Sequence, residues 1–521
     1  MKRFSFLISV VLSGSLLLAG CGGNAAGSSS GPAQGTDTVV VAMDPNSEPA
    51  AGFDPAFGWG AGEHVHEPLI QSTLTVTNAD LTIGYDLATG YTVSEDGLTW
   101  TVTIRDGASF TDGEPLTAED VAFTYNTVKN SSSVNDFTML DYAEAADETT
   151  VVFHMTRPFS IWPYTMAIVG ILPEHAYDPA AYGSNPIGSG RYTLVQWDRG
   201  QQVILEANPD YYGDAPNMRR VVVLFMEEDA AFLAAQAGQV DVAYTSAALA
   251  GAVPAGYTLL NCASVDSRGI SLPCNPAGTD VTVEGDMVYA GGNDVTSDLA
   301  VRRALNYGID RSQMIEHVLA GFGRAAYSVG DGMPWSSEAM RVETDVAAAE
   351  RLLDAAGWAR GDDGMRARDG LPCAFDLYYA AGDSTRQALA YDFADQAAAL
   401  GITITPKGAS WDDIYLRQYA DPVLWGWGSN SPVELFELTY STGWGNYAQY
   451  MSDTVDANLE AAQAARTVEE SYPFYQAAQW DAATETGVAP EGAATWVWLA
   501  NVDHLYFERE GLIVAEQWSW S

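Results

Sequence analysis

Two periodicities divide the chain. Thr38–Met43 (TVVVAM) and residues 100–104 (WTVTI) are short runs rich in β-branched and aromatic residues, as strands require. Thr117, with Asp120 three positions on, opens a helix in capping-box fashion that runs to about Lys129. Asp310-Arg-Ser-Gln313 repeats the start signal; Met314, Ile315, Val318 and Leu319 then share one face, and Gly321 supplies the stop. Further on, Ala374–Ala380 (AFDLYYA), a helix over residues 384–400 stopped by Gly401, and an extended run at 402–406 make one strand-helix-strand unit. Such a unit needs a sheet with helices packed on it. The body is therefore α/β or α+β, and its 521 residues require at least two lobes.

The opening of the chain follows a different pattern. Lys2 and Arg3 precede an apolar run over residues 4–19, the layout of a secretory signal, too short for a stable membrane span. Leu18-Ala19-Gly20-Cys21 resembles the bacterial lipobox, which implies cleavage after residue 20 and acylation of the Cys21 thiol. More than one acyl chain is what stable anchoring demands. Residues 22–37 are rich in Gly, Ser and Ala without an apolar period, so they read as a flexible tether. No later stretch approaches 18 unbroken apolar residues. The expected location is outside the cytoplasm, lipid-anchored to the cell membrane, on its periplasmic face in a cell with an outer membrane.

Charge narrows the partners. There are 24 Lys plus Arg against 68 Asp plus Glu, a net charge of −44, and the only lysines are Lys2, Lys129 and Lys407. No basic surface exists to hold phosphate backbones, so nucleic acid is excluded as a partner, and a well-solvated monomer is expected. Besides Cys21 the chain has Cys262, Cys274 and Cys373. An odd count leaves at least one free thiol, and without zinc-site spacing these read as small buried hydrophobes; a Cys262–Cys274 bridge would need a hairpin between them.

Several motifs, taken in order, carry a resemblance. They are Val93-Ser-Glu-Asp-Gly-Leu-Thr-Trp-Thr-Val-Thr-Ile-Arg-Asp-Gly107 with its continuation from Phe110 to Tyr125, Asn185-Pro-Ile-Gly-Ser-Gly-Arg-Tyr192, Ala207-Asn-Pro-Asp-Tyr-Tyr212, and Val301-Arg-Arg-Ala-Leu-Asn-Tyr-Gly-Ile-Asp-Arg311. Together they resemble family 5 of the bacterial extracellular solute-binding proteins, the peptide- and nickel-type lipoproteins of ABC importers. Physically, Glu95-Asp-Gly97 and Thr111-Asp-Gly113 are tight-turn devices between strands. The resemblance implies a two-lobed periplasmic-binding-protein-like fold with an enlarged first lobe and a ligand cleft between the lobes. It places a first lobe at residues 38–265 with 485–521 and a second at 266–484. The chain would cross near 268–272 and return near 495–499.

The same resemblance implies a function: capturing a solute by lobe closure and delivering it to permease subunits in the membrane. Short peptides are the leading class, a nickel or metal-chelate cargo the alternative, and an oligosaccharide a second alternative. Two Gly- and Trp-rich segments match the family's cleft-lining positions, residues 53–66 and 424–432. They supply Trp59, His64, Trp425, Trp427, Ser429 and Asn430 as candidate ligand contacts. Trp425 and Trp427, at i and i+2, share one strand face, which is either cleft or core. For a peptide, Arg268 would pair the carboxylate while Trp427 and Trp59 stack on side chains. Peptide-binding members commonly carry an Asp after the Gly-Trp pair, where this chain has Ser429-Asn-Ser431 and so no ion pair for an amine. For a metal chelate, His64 and His66 would point to one side of an extended segment as nitrogen donors. No resident cofactor is expected. Enzyme signatures are missing: no Lys sits in a phosphate-binding Gly-rich loop, Gly188-Ser-Gly190 is not a nucleophile elbow, and His66-Glu-Pro-Leu-Ile70 lacks the second His of a zinc-protease helix.

Overall fold

Among the described residues, strand pairing gives a seven-, a six- and a four-stranded sheet, with three small sheets of two or three strands. The computed structural model describes residues 37–49, 51–57, 69–78, 82–131, 137–283, 287–428 and 431–514. Cys21, Trp59, His64, His66, Ser429 and Asn430 lie outside them.

Thr38–Met43 lies near the middle of a seven-stranded sheet. It pairs in parallel with Arg220–Phe225, Thr38 opposite Arg220 through Met43 opposite Phe225, and with Val242–Thr245 on its other side. Tyr192–Asp198 and Gln202–Ala207 extend one flank as a hairpin, and Tyr257–Cys262 and His504–Arg509 the other. A four-stranded antiparallel sheet stands beside it in sequence: Ala88–Val93, Thr99–Ile104, Thr150–Met155 and Leu140–Asp147. The helix Ala118–Lys129 buries Val121, Tyr125 and Val128 with Trp100, Val102 and Phe153 of that sheet. Its predicted capping box is present, the Asp120 carboxylate accepting from the Thr117 backbone N–H at 2.9 Å. Gly97 takes the positive φ of 72° that the first turn needs. The second turn differs from expectation: around Gly113 the chain closes only an isolated bridge between Ser109 and Pro115, because Pro115 has no N–H to extend a ladder.

The third sheet has six strands in the order Gly323–Ala325, Trp496–Val502, Asp266–Ser271, Val423–Gly428, Ala374–Ala380, Thr403–Ala409. The predicted strand-helix-strand unit is there as Ala374–Ala380, Ser384–Ala399 and Thr403–Ala409, with Gly401 at φ 82° ending the helix. One face of this sheet carries an aliphatic core shared with Leu299–Gly308 and Ser384–Ala399, built from Ile270, Leu305, Leu389, Phe393, Leu424 and Leu499. The opposite face carries Trp425, Trp427, Trp496 and Trp498 and packs with Val433–Thr439, Asp453–Gln463 and Val468–Gln479.

The chain passes between the seven- and six-stranded sheets twice. It leaves Tyr257–Cys262 for Asp266–Ser271, and returns from Trp496–Val502 to His504–Arg509. The C-terminal run from 485 is therefore shared, with 496–502 in the six-stranded sheet and 504–509 in the seven-stranded one. The passes are tied where they meet: Ser264 Oγ donates to the Val502 carbonyl at 2.6 Å. No helix among the described residues is long and apolar enough to cross a membrane. Cys262, Cys274 and Cys373 are free thiols, and burial pushes the Cys373 thiol up to about 12.

Candidate functional site

Ala374–Ala380, Thr403–Ala409 and Val423–Gly428 run parallel, so their carboxyl ends share one edge of the six-stranded sheet. Ligands bind at such edges in open α/β sheets because helix N-termini and connecting loops converge there. Asp266–Ser271 runs antiparallel to Val423–Gly428 with Asp266 opposite Gly428, which brings its first residues to the same edge.

Two arginines meet at that edge. Asp383 caps the helix Ser384–Ala399, accepting from the Arg386 backbone N–H at 2.7 Å, and its other oxygen pairs with the Arg386 guanidinium. Asp266 pairs with the Arg268 guanidinium and lies 3.1 Å from His504 Nε2, which comes from the other large sheet. A Cβ on Gly426 would lie 2.5 Å from a terminal nitrogen of Arg268 and equally close to one of Arg386. The guanidiniums thus come together over a glycine, and only a residue without a side chain leaves room for both. The Nε–H groups of Arg268 and Arg386 are shielded from water and have no partner among the described residues.

Electrostatics separate the two cations. Burial alone would raise the Asp266 pKa, but the Arg268 guanidinium and the His504 hydrogen bond outweigh it and hold the carboxyl well below the usual carboxylate range. Burial opposes the Arg268 charge as well, yet Asp266 compensates and its pKa rises. Arg386 is not compensated: burial and then repulsion from Arg268 lower its pKa despite Asp383. The two guanidiniums face two carboxylates, and Arg386 is the cation whose charge its surroundings disfavour.

Aromatic side chains form the adjoining wall. Trp427 pairs with Ser267 while Gly426 pairs with Arg268, so strand alternation puts Trp425 and Trp427 on one face and Arg268 on the other. Arg268 and Trp427 can therefore reach a common ligand only around the edge, where the two surfaces meet. There the Arg386 guanidinium lies 5.5 Å from the Trp411 ring centre, and Trp411 stacks on Trp425 at 5.8 Å. Trp425 is sandwiched between Trp411 and Tyr447, the latter at 4.2 Å and 10°. It is 3% exposed, and its indole N–H donates to Ser271 Oγ at 3.0 Å, which makes it a packed wall residue. Trp427 is 8% exposed, packs 5.6 Å from the half-exposed Trp444, and its indole N–H has no partner among the described residues.

Sequence reasoning did not single out Arg386, Asp383, Asp266, His504, Trp411 or Tyr447. A signal existed for some of them: Asp383 heads a helix three residues before Arg386, and Asp266-Ser-Arg268 puts opposite charges at i and i+2 of a strand. Among the described residues no group of three or more His, Cys, Asp or Glu is placed to hold a metal. A separate groove of about 910 Å³, walled by Phe57, Phe123 and Tyr177 with Glu119 and Glu174, lies along the helix Ala118–Lys129, and none of the sheet-edge residues lines it.

Comparison with known proteins converges. Residues 82–448 match the middle region of the bacterial extracellular solute-binding proteins, family 5. The chain is 32% identical over 511 residues to Protein XP55 of Streptomyces lividans, covering 94% of this chain and 86% of that one. It is 24% identical over 500 residues to the oligopeptide-binding protein AppA of Bacillus subtilis, covering 89% and 88% of the two chains. The fold matches NikZ of Campylobacter jejuni, solved with Ni(L-His), at a TM-score of 0.77 and 23% identity over 93% of this chain and 96% of that one. With two lobes around a cleft as the shared fold and most of its length in register with the family, the chain belongs to the bacterial extracellular solute-binding proteins, family 5.

Proposed function

We propose that this protein captures short peptides outside the cytoplasm and presents them to the membrane permease of an ABC importer, with Arg386 and Arg268 receiving the ligand's carboxylate. The observation that carries this reading is the guanidinium pair over Gly426, with both Nε–H groups unpartnered among the described residues and the Arg386 charge disfavoured by its neighbour. A carboxylate bound there would relieve the repulsion and accept charge-assisted hydrogen bonds. Trp411 and Trp427 would then flank the ligand from the aromatic side. AppA, a relative along most of the chain, is named for oligopeptides, which supports the same class. A neutral oligosaccharide makes no use of two converging cations.

In this reading residues 38–265 form the first lobe and 266–484 the second, hinged where the chain passes between the large sheets, and ligand shifts an open form to a closed one. Moving that balance from 1:99 to 99:1 needs about 5.5 kcal/mol of differential affinity. Cys21 would carry the lipid anchor, and the protein would act as a monomer. A metal chelate is the second reading, because an amino acid holding nickel also offers a carboxylate; His64 and His66 would then be its contacts. Titration of di- to pentapeptides, nickel and nickel-histidine into wild type, Arg386→Met and a His64→Ala/His66→Ala double variant separates the two. Metal-free peptide binding that is lost in Arg386→Met supports the peptide reading. Binding that requires nickel and fails in the double histidine variant replaces it with the chelate.

A further inference from the structure

The motif Val301-Arg-Arg-Ala-Leu-Asn-Tyr-Gly-Ile-Asp-Arg311 lies outside the sheet-edge site, yet it contributes three buried polar side chains, Arg302, Asn306 and Arg311. Their donors are aimed at main-chain carbonyls of the returning chain. Arg302 Nε–H donates to Ala493 O at 2.8 Å, Asn306 Nδ2–H to Trp496 O at 3.0 Å, and Arg311 Nε–H to Trp498 O at 2.7 Å. Arg311 also donates to Asn306 O at 3.2 Å, and its guanidinium stacks over the Tyr327 ring at 5.0 Å. It has no ion pair among the described residues. Burial pushes its pKa down to about 10, which still leaves it charged near neutral pH.

These bonds fall where the return strand is irregular. Opposite Asp266–Ser271 the register runs Arg268 to Ala500 and then Gly269 to Trp498, so Leu499 is an extra residue, a β-bulge facing the Arg268–Gly269 junction. On its other side Trp496–Val502 pairs with Gly323–Ala325 only from Ala500 to Val502. The Leu499 carbonyl still accepts from Ala326 N–H at 3.2 Å, but further upstream the open sheet edge would leave carbonyls bare, and buried carbonyls need partners. Asn306 and Arg311 supply them at Trp496 and Trp498. Gly269 completes the fit, because a Cβ there would lie 2.4 Å from the Trp498 ring.

We infer that Arg311 and Asn306 are positioning residues for the inter-lobe crossing: they pin the bulged return strand in one register and thereby fix Arg268, directly across from the bulge, at the edge of the site. The inference needs only the two crossing strands and holds whatever the solute is. A bulge opposite the site is a point where a strand changes direction and twist, and a charged donor fork holds a carbonyl in one place more firmly than a neutral donor.

Hydrogen–deuterium exchange on the ligand-free, full-length mature chain tests this with Arg311→Met, Arg311→Lys and Asn306→Ala, using Arg302→Met as the control outside the bulge. Arg311→Met should speed exchange at least tenfold in peptides covering 496–502 and 266–271, while 118–129 and 384–399 stay as in wild type. Arg311→Lys, which restores a charged donor, should recover most of that protection, and Arg302→Met should act on 493–496 and leave the bulge protected. Unchanged exchange at 496–502, acceleration spread over the whole chain, or no recovery with Lys would overturn the inference. If Arg311→Met does not fold, Asn306→Ala decides: a rise confined to 495–499 supports the inference, and wild-type or chain-wide exchange sinks it.

Discussion

Two pairs of buried arginines occupy the same half of the molecule and are treated in opposite ways. Arg302 and Arg311 spend their donors mainly on main-chain carbonyls and form no ion pair among the described residues. Arg268 and Arg386 each have a carboxylate two or three residues away, crowd each other over Gly426, and keep an Nε–H without a partner among the described residues. Burying a charge is costly unless its hydrogen bonds are made. The first pair meets that condition inside the fold, so its role is to hold chain segments. The second pair meets it only in part, and the carboxylate proposed above as its ligand would supply the missing partner.

The largest effect should separate the pairs directly. Arg386→Met is expected to cut affinity for a carboxylate-bearing peptide about 100-fold, close to 2.7 kcal/mol, the scale for truncating one partner of a buried charged contact. Its unfolding free energy should stay within about 1 kcal/mol of wild type, since the change also removes a repulsion. Titration calorimetry paired with urea unfolding reads both numbers, and a stability loss as large as the affinity loss would erase the distinction between the pairs.

Arg311→Met should do the reverse in the urea experiment. It strands the Trp498 and Asn306 carbonyls, at about 1–3 kcal/mol each, with methionine packing offsetting part of the loss, so a net destabilisation of ~2–3 kcal/mol is expected. A midpoint within error of wild type would show that these carbonyls find other donors.

Gly426→Ala sharpens the comparison without touching a charge. The new methyl must displace the ends of two long side chains rather than backbone, so the stability cost should be about 1 kcal/mol while peptide affinity falls about tenfold. Equal affinity in this variant would mean that the guanidiniums do not need to meet over the glycine.

The smallest effect concerns acid. The Asp266 and Asp383 carboxyls have pKa values held below their unfolded values, so the stability they contribute is complete above the unfolded carboxyl pKa and is lost as pH falls through the folded value. Asp266→Asn should therefore lower stability at pH 7 and flatten its decline below about pH 4, a change of ~1 kcal/mol across that limb. Urea midpoints from pH 7 to pH 2 check it; parallel curves for variant and wild type would remove Asp266 from the acid response.

Much of the local architecture was legible along the chain. Thr38–Met43, the capped helix at Ala118–Lys129, the start of the Asp310-headed helix, which ends at His317 and not at the expected Gly321, and the Ala374 strand-helix-strand unit all follow from signals spanning fewer than about thirty residues. Hydrophobic period, N-cap and stop glycine act on neighbours in sequence, and so did the i, i+2 sharing of a face by Trp425 and Trp427. The family, too, was legible, because its motifs are largely turns and caps fixed by local geometry.

Only the tertiary structure decided what those faces meet. It put Arg268 on the other side of the strand pair from Trp427, brought Arg386 from 118 residues away to the same glycine, and assigned Trp425 to a stacked wall with its N–H already used. It also turned a motif that carried only the family resemblance into a set of donors for a bulged strand 187 residues further along. The physical reason is the same in each case. Periodicity fixes the direction of a side chain relative to its own element, whereas the register between strands, and with it the identity of every charge's neighbour, is set by pairing between segments that the sequence keeps far apart.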